Sequence, residues 1–262
     1  MTVQTQRVGT LKTPDISLHI TRKGADRGLI VGESGTGKST VSLRILEIFR
    51  DTYLPSGRIL IADTKPRWRA TRTLSGDPIS KRYGKMVEGD KIDSMLLDSP
   101  SDWGMVWDRD VNPTRTVIIQ PDLRTDYVQD EEIARQVYFI SKYFRTLDPR
   151  EPSLLYIDEG MDFFGPNGSA KSGDIIQRCY RAGRERGLAT LMGVQRPACI
   201  TPLAMSESNV KILFALGSDD DLLTLRKRGF PRTIAPIDED YHFRLLRDRK
   251  LYPKLLTLKL KG

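Results

Sequence analysis

The sequence of 262 residues predicts an α/β fold with a mostly parallel central sheet flanked by helices. Three observations predict this fold. Short apolar runs typical of buried strands recur along the chain, helical patterns separate them, and a glycine-rich loop joins the first of these runs to a helix. We expect one domain over 1–262, with 1–27 as an N-terminal strap and 230–262 as a C-terminal β extension.

Six apolar runs are the predicted strands of the sheet, and turn residues or helical patterns bound them. The runs are 28–31, 58–63, 116–120, 153–157, 188–194 and 210–216. An alternating run over 16–21 predicts an edge strand or a strap across the core. The tail over 241–260 predicts a small β-hairpin with Lys254, Lys259 and Lys261 exposed.

Helical periodicity fills the space between several of these runs. After 130, Ile133, Val137, Ile140 and Phe144 share one face of a helix. A glycine-rich loop over 165–173 is expected to lead into another helix that ends near 183. Ser218 is a predicted N-cap, with three aspartates in the first turn of a helix that ends at 229. The helix after the first strand is predicted over 40–50.

Composition limits the classes of protein that the chain can represent. Lys and Arg outnumber Asp and Glu by 42 to 34, which gives a net charge of +8. This excess suits a polyanionic partner such as nucleic acid, although composition alone is as compatible with a basic protein that binds no polyanion. Two cysteines fit neither a disulfide framework nor a zinc site, so a reducing cytosol is expected. We expect no membrane span and no signal peptide, because no apolar stretch is long enough.

Residues 32–39, GESGTGKS, match the pattern G-x-x-x-x-G-K-[ST] between a predicted strand and a predicted helix. In this context backbone N–H groups converge on phosphate oxygens at a helix N-terminus. We therefore expect ATP binding with Mg²⁺, in which Lys38 reaches the β and γ phosphates and Ser39 is a metal ligand. The predicted nucleotide-binding residues are Gly32, Glu33, Ser34, Gly35, Thr36, Gly37, Lys38, Ser39 and Thr40.

Polar side chains follow two further predicted strands. Asp158 ends the run 153–157 and is a predicted Mg²⁺ ligand, and Glu159 beside it could polarise an attacking water. This carboxylate pair favours hydrolysis of the nucleotide over phosphate transfer to a substrate. Gln195 follows the run 188–194 and could lie near the γ-phosphate, although an ordinary strand-end residue is the alternative.

A basic turn, Gly183-Arg184-Glu185-Arg186-Gly187, precedes the run 188–194. An arginine placed on the transition-state charge raises the rate of phosphate transfer by roughly 10³- to 10⁵-fold. Solvated surface arginines are the alternative for every candidate. The candidates are Arg181, Arg184, Arg186 and Arg196.

These motifs occur in an order that resembles the FtsK/HerA superfamily of DNA-pumping ATPases. The resemblance spans about 26–229 and rests on 32–39, Asp63-Thr64-Lys65-Pro66, Ile157-Asp158-Glu159, the turn 183–187 and Gln195-Arg196-Pro197. The last motif is the discriminating one, whereas Asp63-Thr64-Lys65-Pro66 departs from the frequent Asp-Pro-Lys. The resemblance implies a RecA-like (ASCE) P-loop ATPase, a homo-oligomeric ring of five or six subunits, and an arginine, Arg184, that acts across the subunit interface.

A compact chain without an expected membrane anchor or DNA-orienting domain looks most like the genome-packaging ATPases of membrane-containing icosahedral viruses. That likeness implies double-stranded DNA and capsid vertex proteins as partners, and a location in the host cytoplasm or the virion. The alternatives are a plasmid-transfer or filamentous-phage assembly ATPase of the same superfamily, or a P-loop kinase or nucleotide switch. The sequence has neither the N-K-x-D motif nor the arginine-rich lid that would support a nucleotide switch or a kinase.

Two segments are candidates for DNA contact. Arg67 and Arg69 belong to a basic stretch over 65–85 with interleaved aromatic residues, and Lys171 lies in the glycine-rich loop over 165–173. Contacts with phosphates would give binding that depends on salt and not on base sequence. Solvated loops explain either segment about as well.

Overall fold

The computed structural model describes residues 2–4, 15–21, 24–53, 56–63, 85–88, 107–108, 115–120, 129–164, 170–199 and 201–259. The strands are β1 (Thr2–Gln4), β2 (Ile20–Thr21), β3 (Gly24–Ala25), β4 (Arg27–Val31), β5 (Arg58–Ala62), β6 (Lys85–Glu88), β7 (Thr116–Gln120), β8 (Ser153–Ile157), β9 (Leu188–Val194), β10 (Val210–Leu213), β11 (His242–Arg247), β12 (Lys250–Leu251) and β13 (Leu256–Lys259). The α-helices are α1 (Lys38–Tyr53), α2 (Gln129–Arg145), α3 (Met161–Phe164), α4 (Ala170–Ala182), α5 (Pro202–Glu207) and α6 (Asp219–Lys227).

Within these residues the main sheet has the strand order β1-β13-β11-β10-β4-β9-β8-β5-β7-β6, with β12 paired to β11. Every pair from β10 to β6 is parallel, and the pairs from β1 to β10 are antiparallel. The predicted α/β fold with a mostly parallel sheet is therefore confirmed. The C-terminal hairpin is also confirmed, and it extends the main sheet on one side.

Side chains of the parallel strands alternate between two apolar layers because successive residues of a strand point to opposite faces. On β5, Ile59 and Ile61 pack in the layer that contains Val41, Ile45 and Phe49 of α1. Leu60 and Ala62 pack in the other layer, with Phe139 and Ile140 of α2. Burial on both faces explains why the central strands are continuous apolar runs, as in β9, where every residue is buried.

Several predicted bounds differ from the structure. The alternating run over 16–21 forms only the short strand β2, which pairs with β3 in a separate two-stranded ribbon. Strand β10 ends at Leu213, before the predicted end at 216. Helix α4 begins at Ala170, so the predicted glycine-rich loop over 165–173 is too long. Gly173 is tolerated inside this helix, at a cost of about 1 kcal/mol relative to alanine. The short helix α3 was not predicted.

The predicted start of α6 is confirmed. Ser218 has extended backbone and its hydroxyl accepts a hydrogen bond from the Asp221 backbone N–H at 3.2 Å, as an N-cap does. None of the helices in the described part of the chain is both long and apolar enough to cross a membrane.

Candidate nucleotide-binding site

The predicted site residues meet at one edge of the sheet because they follow neighbouring parallel strands. Strand β9 lies between β4 and β8, with Val31 opposite Val194 and Ile157 opposite Met192. The loop 32–37, Asp158 and Gln195 come directly after the carboxyl ends of these three strands. Ligands of open parallel sheets bind at this edge.

The loop 32–37 has the conformation that its glycines allow. Gly35 and Gly37 adopt φ values of 86° and 110°, a region that side-chain-bearing residues rarely occupy. The Thr36 hydroxyl donates to the Glu33 carbonyl at 2.8 Å, and α1 starts directly after Gly37. The N-terminus of α1 therefore lies directly beside the loop, where an anion is stabilised.

The Lys38 ammonium lies against the same loop. Its Nζ donates to the carbonyl oxygens of Gly32 at 2.6 Å and Glu33 at 2.7 Å. These hydrogen bonds hold the positive charge beside the N-terminus of α1. Both features favour a bound phosphate at this point.

A cavity of about 210 Å³ opens beside the loop. Its lining residues include most of the predicted nucleotide-binding residues and the two predicted carboxylates. They are Ser34, Gly35, Gly37, Lys38, Ser39, Thr40, Asp158, Glu159, Gln195 and Tyr241. The structure thus brings together residues from four separate segments, although their catalytic and ligand roles remain predictions.

Asp158 is buried at the end of β8 and is held by a neighbour on the same strand. The Tyr156 hydroxyl donates to Asp158 Oδ1 at 2.6 Å. Burial, and then the negative charge of Asp158, raise the pKa of Tyr156 well above its ordinary value. Tyr156 therefore keeps its proton at neutral pH and acts as a donor, which fixes the orientation of the carboxylate.

Glu159 is also buried, and the strand beside it holds its carboxylate. The Gln195 backbone N–H donates to Glu159 Oε1 at 3.4 Å, and the Gly160 N–H donates to the Gly193 carbonyl at 2.7 Å. A Cβ at Gly193 would lie 2.4 Å from the Asp158 carbonyl oxygen, so only glycine fits there. The backbone of β9 thus sets the position of the carboxylate pair.

Ser39 and Asp158, the predicted Mg²⁺ ligands, both line the cavity. Their hydroxyl and carboxylate oxygens are of the type that Mg²⁺ prefers, and this ion usually takes one or two protein ligands beside phosphates and water. In the described residues, no group of three or more His, Cys, Asp or Glu side chains could hold a metal ion. The two oxygen donors of Ser39 and Asp158 fit Mg²⁺ that would arrive with a nucleotide.

Tyr241 was missed by the sequence analysis. It precedes β11, lines the cavity, and its backbone N–H donates to the Thr36 carbonyl at 3.0 Å. Its φ of 62° is unusual for a residue with a bulky side chain. No sequence pattern marks this position, because the contact depends on how the C-terminal extension folds back onto the loop.

Arg184 lies away from this cavity in the same chain. It begins a 3₁₀ turn, Arg184–Arg186, before the amino end of β9, whereas Gln195 follows the carboxyl end. Its side chain covers Gly24, where a Cβ would lie 2.0 Å from Arg184 Nε. Since the seven residues of β9 separate the two ends by roughly 20 Å, Arg184 is not placed to act on its own chain's nucleotide.

The other candidate arginines have different surroundings. The Arg186 guanidinium lies 4.9 Å from the centre of the Phe144 ring, and Arg181 is exposed on α4. Arg196 follows Gln195 at the nucleotide edge and lies 3.8 Å from Asp221 as a loose ion pair.

The residues predicted to contact DNA are only partly described by the structure. Arg67 and Arg69 lie outside the described residues. Lys171 is in the first turn of α4, not in a loop.

The fold is that of the RecA-like P-loop NTPases. Comparison with solved structures places the chain beside the genome packaging NTPase B204 from Sulfolobus turreted icosahedral virus 2 in complex with ATP-gammaS. The identity is 16%, the TM-score is 0.56, and the match covers 89% of this chain and 97% of that one. Structures of B204 with AMP and with AMPPCP are similar as well.

Two other solved structures share the fold. VirB4 of Thermoanaerobacter pseudethanolicus is 11% identical with a TM-score of 0.60, covering 90% of this chain and 89% of that one. EssC (ATPases 2 and 3) from Geobacillus thermodenitrificans is 16% identical with a TM-score of 0.53, covering 92% of this chain and 40% of that one. No protein-family model and no curated protein matches the sequence. The predicted resemblance is therefore confirmed at the level of the fold.

Proposed function

We propose that this protein hydrolyses ATP with Mg²⁺ and uses the energy to move double-stranded DNA into a viral capsid. The observation that carries the proposal is the meeting of Lys38, Asp158 and Glu159 around one cavity. The rest of the function is inferred from charge and from the likeness to B204.

The residues of the cavity have distinct roles in the proposed hydrolysis. Lys38 and the N-terminus of α1 hold the β and γ phosphates and offset their charge. Ser39 and Asp158 would hold Mg²⁺, which would neutralise charge that develops on the phosphates. Glu159 orients and polarises the attacking water, and the Gln195 N–H keeps its carboxylate in position.

The DNA cargo is supported by two observations. The net charge of +8 favours a polyanionic partner. The protein B204, which shares the fold over nearly its whole length, is a genome packaging NTPase. We propose Lys171, Arg67 and Arg69 as contacts with DNA phosphates, a capsid vertex as the docking partner, and the host cytoplasm or virion as the location.

We also propose that the protein works as a homo-oligomeric ring of five or six subunits, in which Arg184 completes the site of a neighbour. Its position at the far edge of the sheet is compatible with action in trans. The alternative function is a motor of the same fold with another cargo, such as a plasmid-transfer or filamentous-phage assembly ATPase. The structures of VirB4 and EssC support this alternative, because they share the fold about as well as B204 does.

The test is the ATPase rate with and without duplex DNA at low and moderate salt, with Lys38→Ala as the control for contaminating activity. Stimulation by DNA should vanish as salt rises, because phosphate contacts are screened and counterions compete. DNA affinity should also differ between the ATP-analogue and ADP states, since a contact equal in all states can move nothing. Hydrolysis that ignores DNA under every condition would reject the DNA motor but keep the ATPase.

A further inference from the structure

A second, larger cavity opens at the amino edge of the sheet, opposite the nucleotide-binding edge. Its volume is about 820 Å³, which is within the usual range of small-molecule sites. It lies between the start of β4, the start of β10, the end of α6 and the turn after β11, and it shares no lining residue with the first cavity. The charged residues that line it are Arg27, Glu207, Lys211, Asp248 and Arg249.

Lys211 is the unusual member of this set. It lies on β10 between Leu29 of β4 and Leu246 of β11, on a face where apolar side chains pack. Only 5% of Lys211 is exposed, and its ammonium lies 5.5 Å from the centre of the Phe230 ring. Lysine is almost never buried to this degree without a partner, because burial of an unpaired charge is costly.

Neither carboxylate that lines the cavity, Glu207 or Asp248, forms an ion pair with Lys211. Arg27 forms an ion pair of 2.7 Å with Glu207. Asp248 is exposed and accepts a hydrogen bond of 3.2 Å from the Asn209 amide, a neutral donor that leaves the carboxylate charged. Among the residues that the structure describes, neither Lys211 nor Arg249 has a side-chain hydrogen bond or ion pair. Arg249 lines the same cavity, and burial, and then the positive charge of Arg249, lower the pKa of Lys211.

The serine hydroxyls that line the cavity already donate hydrogen bonds to backbone carbonyls. The Ser206 hydroxyl donates to the Leu203 carbonyl at 3.1 Å, and the Ser208 hydroxyl donates to the Ala204 carbonyl at 2.7 Å. In the described part of the chain, the side-chain donors of the cavity that lack a protein partner are those of Lys211, which is buried, of Arg249, which is exposed, and Arg27 Nε, which is buried.

The lining holds three cations, Arg27, Lys211 and Arg249, against the carboxylates Glu207 and Asp248, which leaves one net positive charge. A phosphate group accepts several hydrogen bonds and carries negative charge, so it matches a buried ammonium that has no hydrogen-bond partner among the described residues.

We propose that this cavity is a second ligand site, which binds a small molecule through a phosphate group held by Lys211 and Arg249. A recessed lysine favours a small phosphate compound over duplex DNA, because the phosphates of a duplex line a convex surface. The site is independent of the proposed ATPase, since it lies at the other edge of the sheet.

The test measures binding of inorganic phosphate by equilibrium dialysis and by the shift of the melting temperature. Lys38→Ala is the background, because it removes phosphate binding at the first cavity. Phosphate should bind the Lys38→Ala protein and raise its melting temperature. Adding Lys211→Met should weaken binding by at least about tenfold, since a charge-assisted contact is lost. Adding Arg249→Gln should also weaken it, whereas Lys250→Met, an exposed lysine beside the cavity, should not.

The variants also have a readout that does not depend on phosphate. Without phosphate, Lys211→Met should melt at the same temperature as its background or higher, because methionine keeps the packing and removes an unpaired buried charge. Phosphate binding that is absent from Lys38→Ala, or that persists unchanged in Lys211→Met, would overturn the proposal. Citrate and a short duplex serve as further probes. Binding of either through Lys211, without binding of phosphate, would overturn it too.

Discussion

The Tyr156 hydroxyl donates a hydrogen bond of 2.6 Å to Asp158 Oδ1, and both residues are buried at the carboxyl end of β8. The donor and acceptor are two residues apart on one strand, so their side chains extend from the same face. This pair links the core of the sheet to the cavity. Tyr156 belongs to the apolar layer that contains α1, and Asp158 lines the cavity beside the loop 32–37.

The first prediction concerns this hydrogen bond. Tyr156→Phe should raise the Mg²⁺ concentration needed for half-maximal hydrolysis by roughly 10- to 100-fold, because Asp158, the predicted Mg²⁺ ligand, loses the donor that orients it. The free energy of unfolding should fall by about 1–3 kcal/mol, as for a hydrogen bond to a charged group. Tyr180→Phe is the matched control, since Tyr180 is buried but its hydroxyl faces the Gly28 carbonyl at the amino edge. An unchanged Mg²⁺ requirement in Tyr156→Phe would show that the Tyr156 hydroxyl does not influence Mg²⁺ binding.

The second prediction concerns Glu159. Glu159→Gln should lower the rate of hydrolysis by roughly 10²- to 10⁴-fold, because an amide cannot polarise the attacking water. Nucleotide binding should persist, since the loop 32–37 and Lys38 are unchanged. Hydrolysis and binding of a fluorescent ATP analogue are measured side by side, and Lys38→Ala should instead impair binding or hydrolysis. A wild-type rate in Glu159→Gln would show that another group activates the water.

The third prediction concerns the close approach of β9 to the carboxylate pair. Gly193→Ala should destabilise the protein by about 1–3 kcal/mol, because its Cβ would press on the backbone of Asp158. The same displacement should lower hydrolysis more than nucleotide binding. Gly217→Ala is the control, since its Cβ would meet only the Glu33 carboxylate at 3.1 Å. Thermal unfolding and ATPase assays check both variants, and equal effects of the two would contradict the argument.

The sequence predicted the fold class, and it predicted residues that the structure brings to one cavity, but it missed several element bounds. Strand β9 was predicted over the whole of 188–194 because it is buried on both faces and bounded by Gly187 and Gln195. The loop 32–37 and the carboxylate pair were found because each follows an apolar run. The early start of α4 was missed because Gly173 suggests a loop, although the rest of the helix overrides it.

Other features depend on contacts between distant segments and leave no local pattern. Tyr241 reaches the cavity only because β11 and β13 add to the main sheet and fold the C-terminal extension against Gly37. Lys211 gave no signal in the sequence, since one lysine in an apolar strand is common at a sheet edge. Its burial follows from the placement of Phe230 and Leu246 around it.

The fourth prediction concerns Tyr241. Tyr241→Gly should keep the backbone hydrogen bond to Thr36, because glycine adopts a φ of 62° without strain. The lost ring should weaken nucleotide binding by about 1 kcal/mol, roughly fivefold. Tyr241→Phe keeps the ring and should bind nucleotide as the wild type does. Equal nucleotide affinity in all three proteins would show that the ring lines the cavity without touching the ligand.

The last prediction concerns Arg184, which lies at the amino edge of the sheet while the nucleotide cavity lies at the carboxyl edge. If it acts in trans, Arg184→Ala and Glu159→Gln should each be nearly inactive alone. Mixed in equal amounts in one ring, they should regain activity, because about a quarter of the interfaces would join an intact Glu159 to an intact Arg184. Arg181→Ala is the control, since Arg181 is exposed on the adjacent α4 and should stay active alone. Co-assembly is verified with two affinity tags, and ATP hydrolysis is measured as the mixing ratio varies. Activity should peak at intermediate ratios. A mixture that co-assembles but never exceeds either variant alone would assign Arg184 to packing against Gly24 rather than to catalysis.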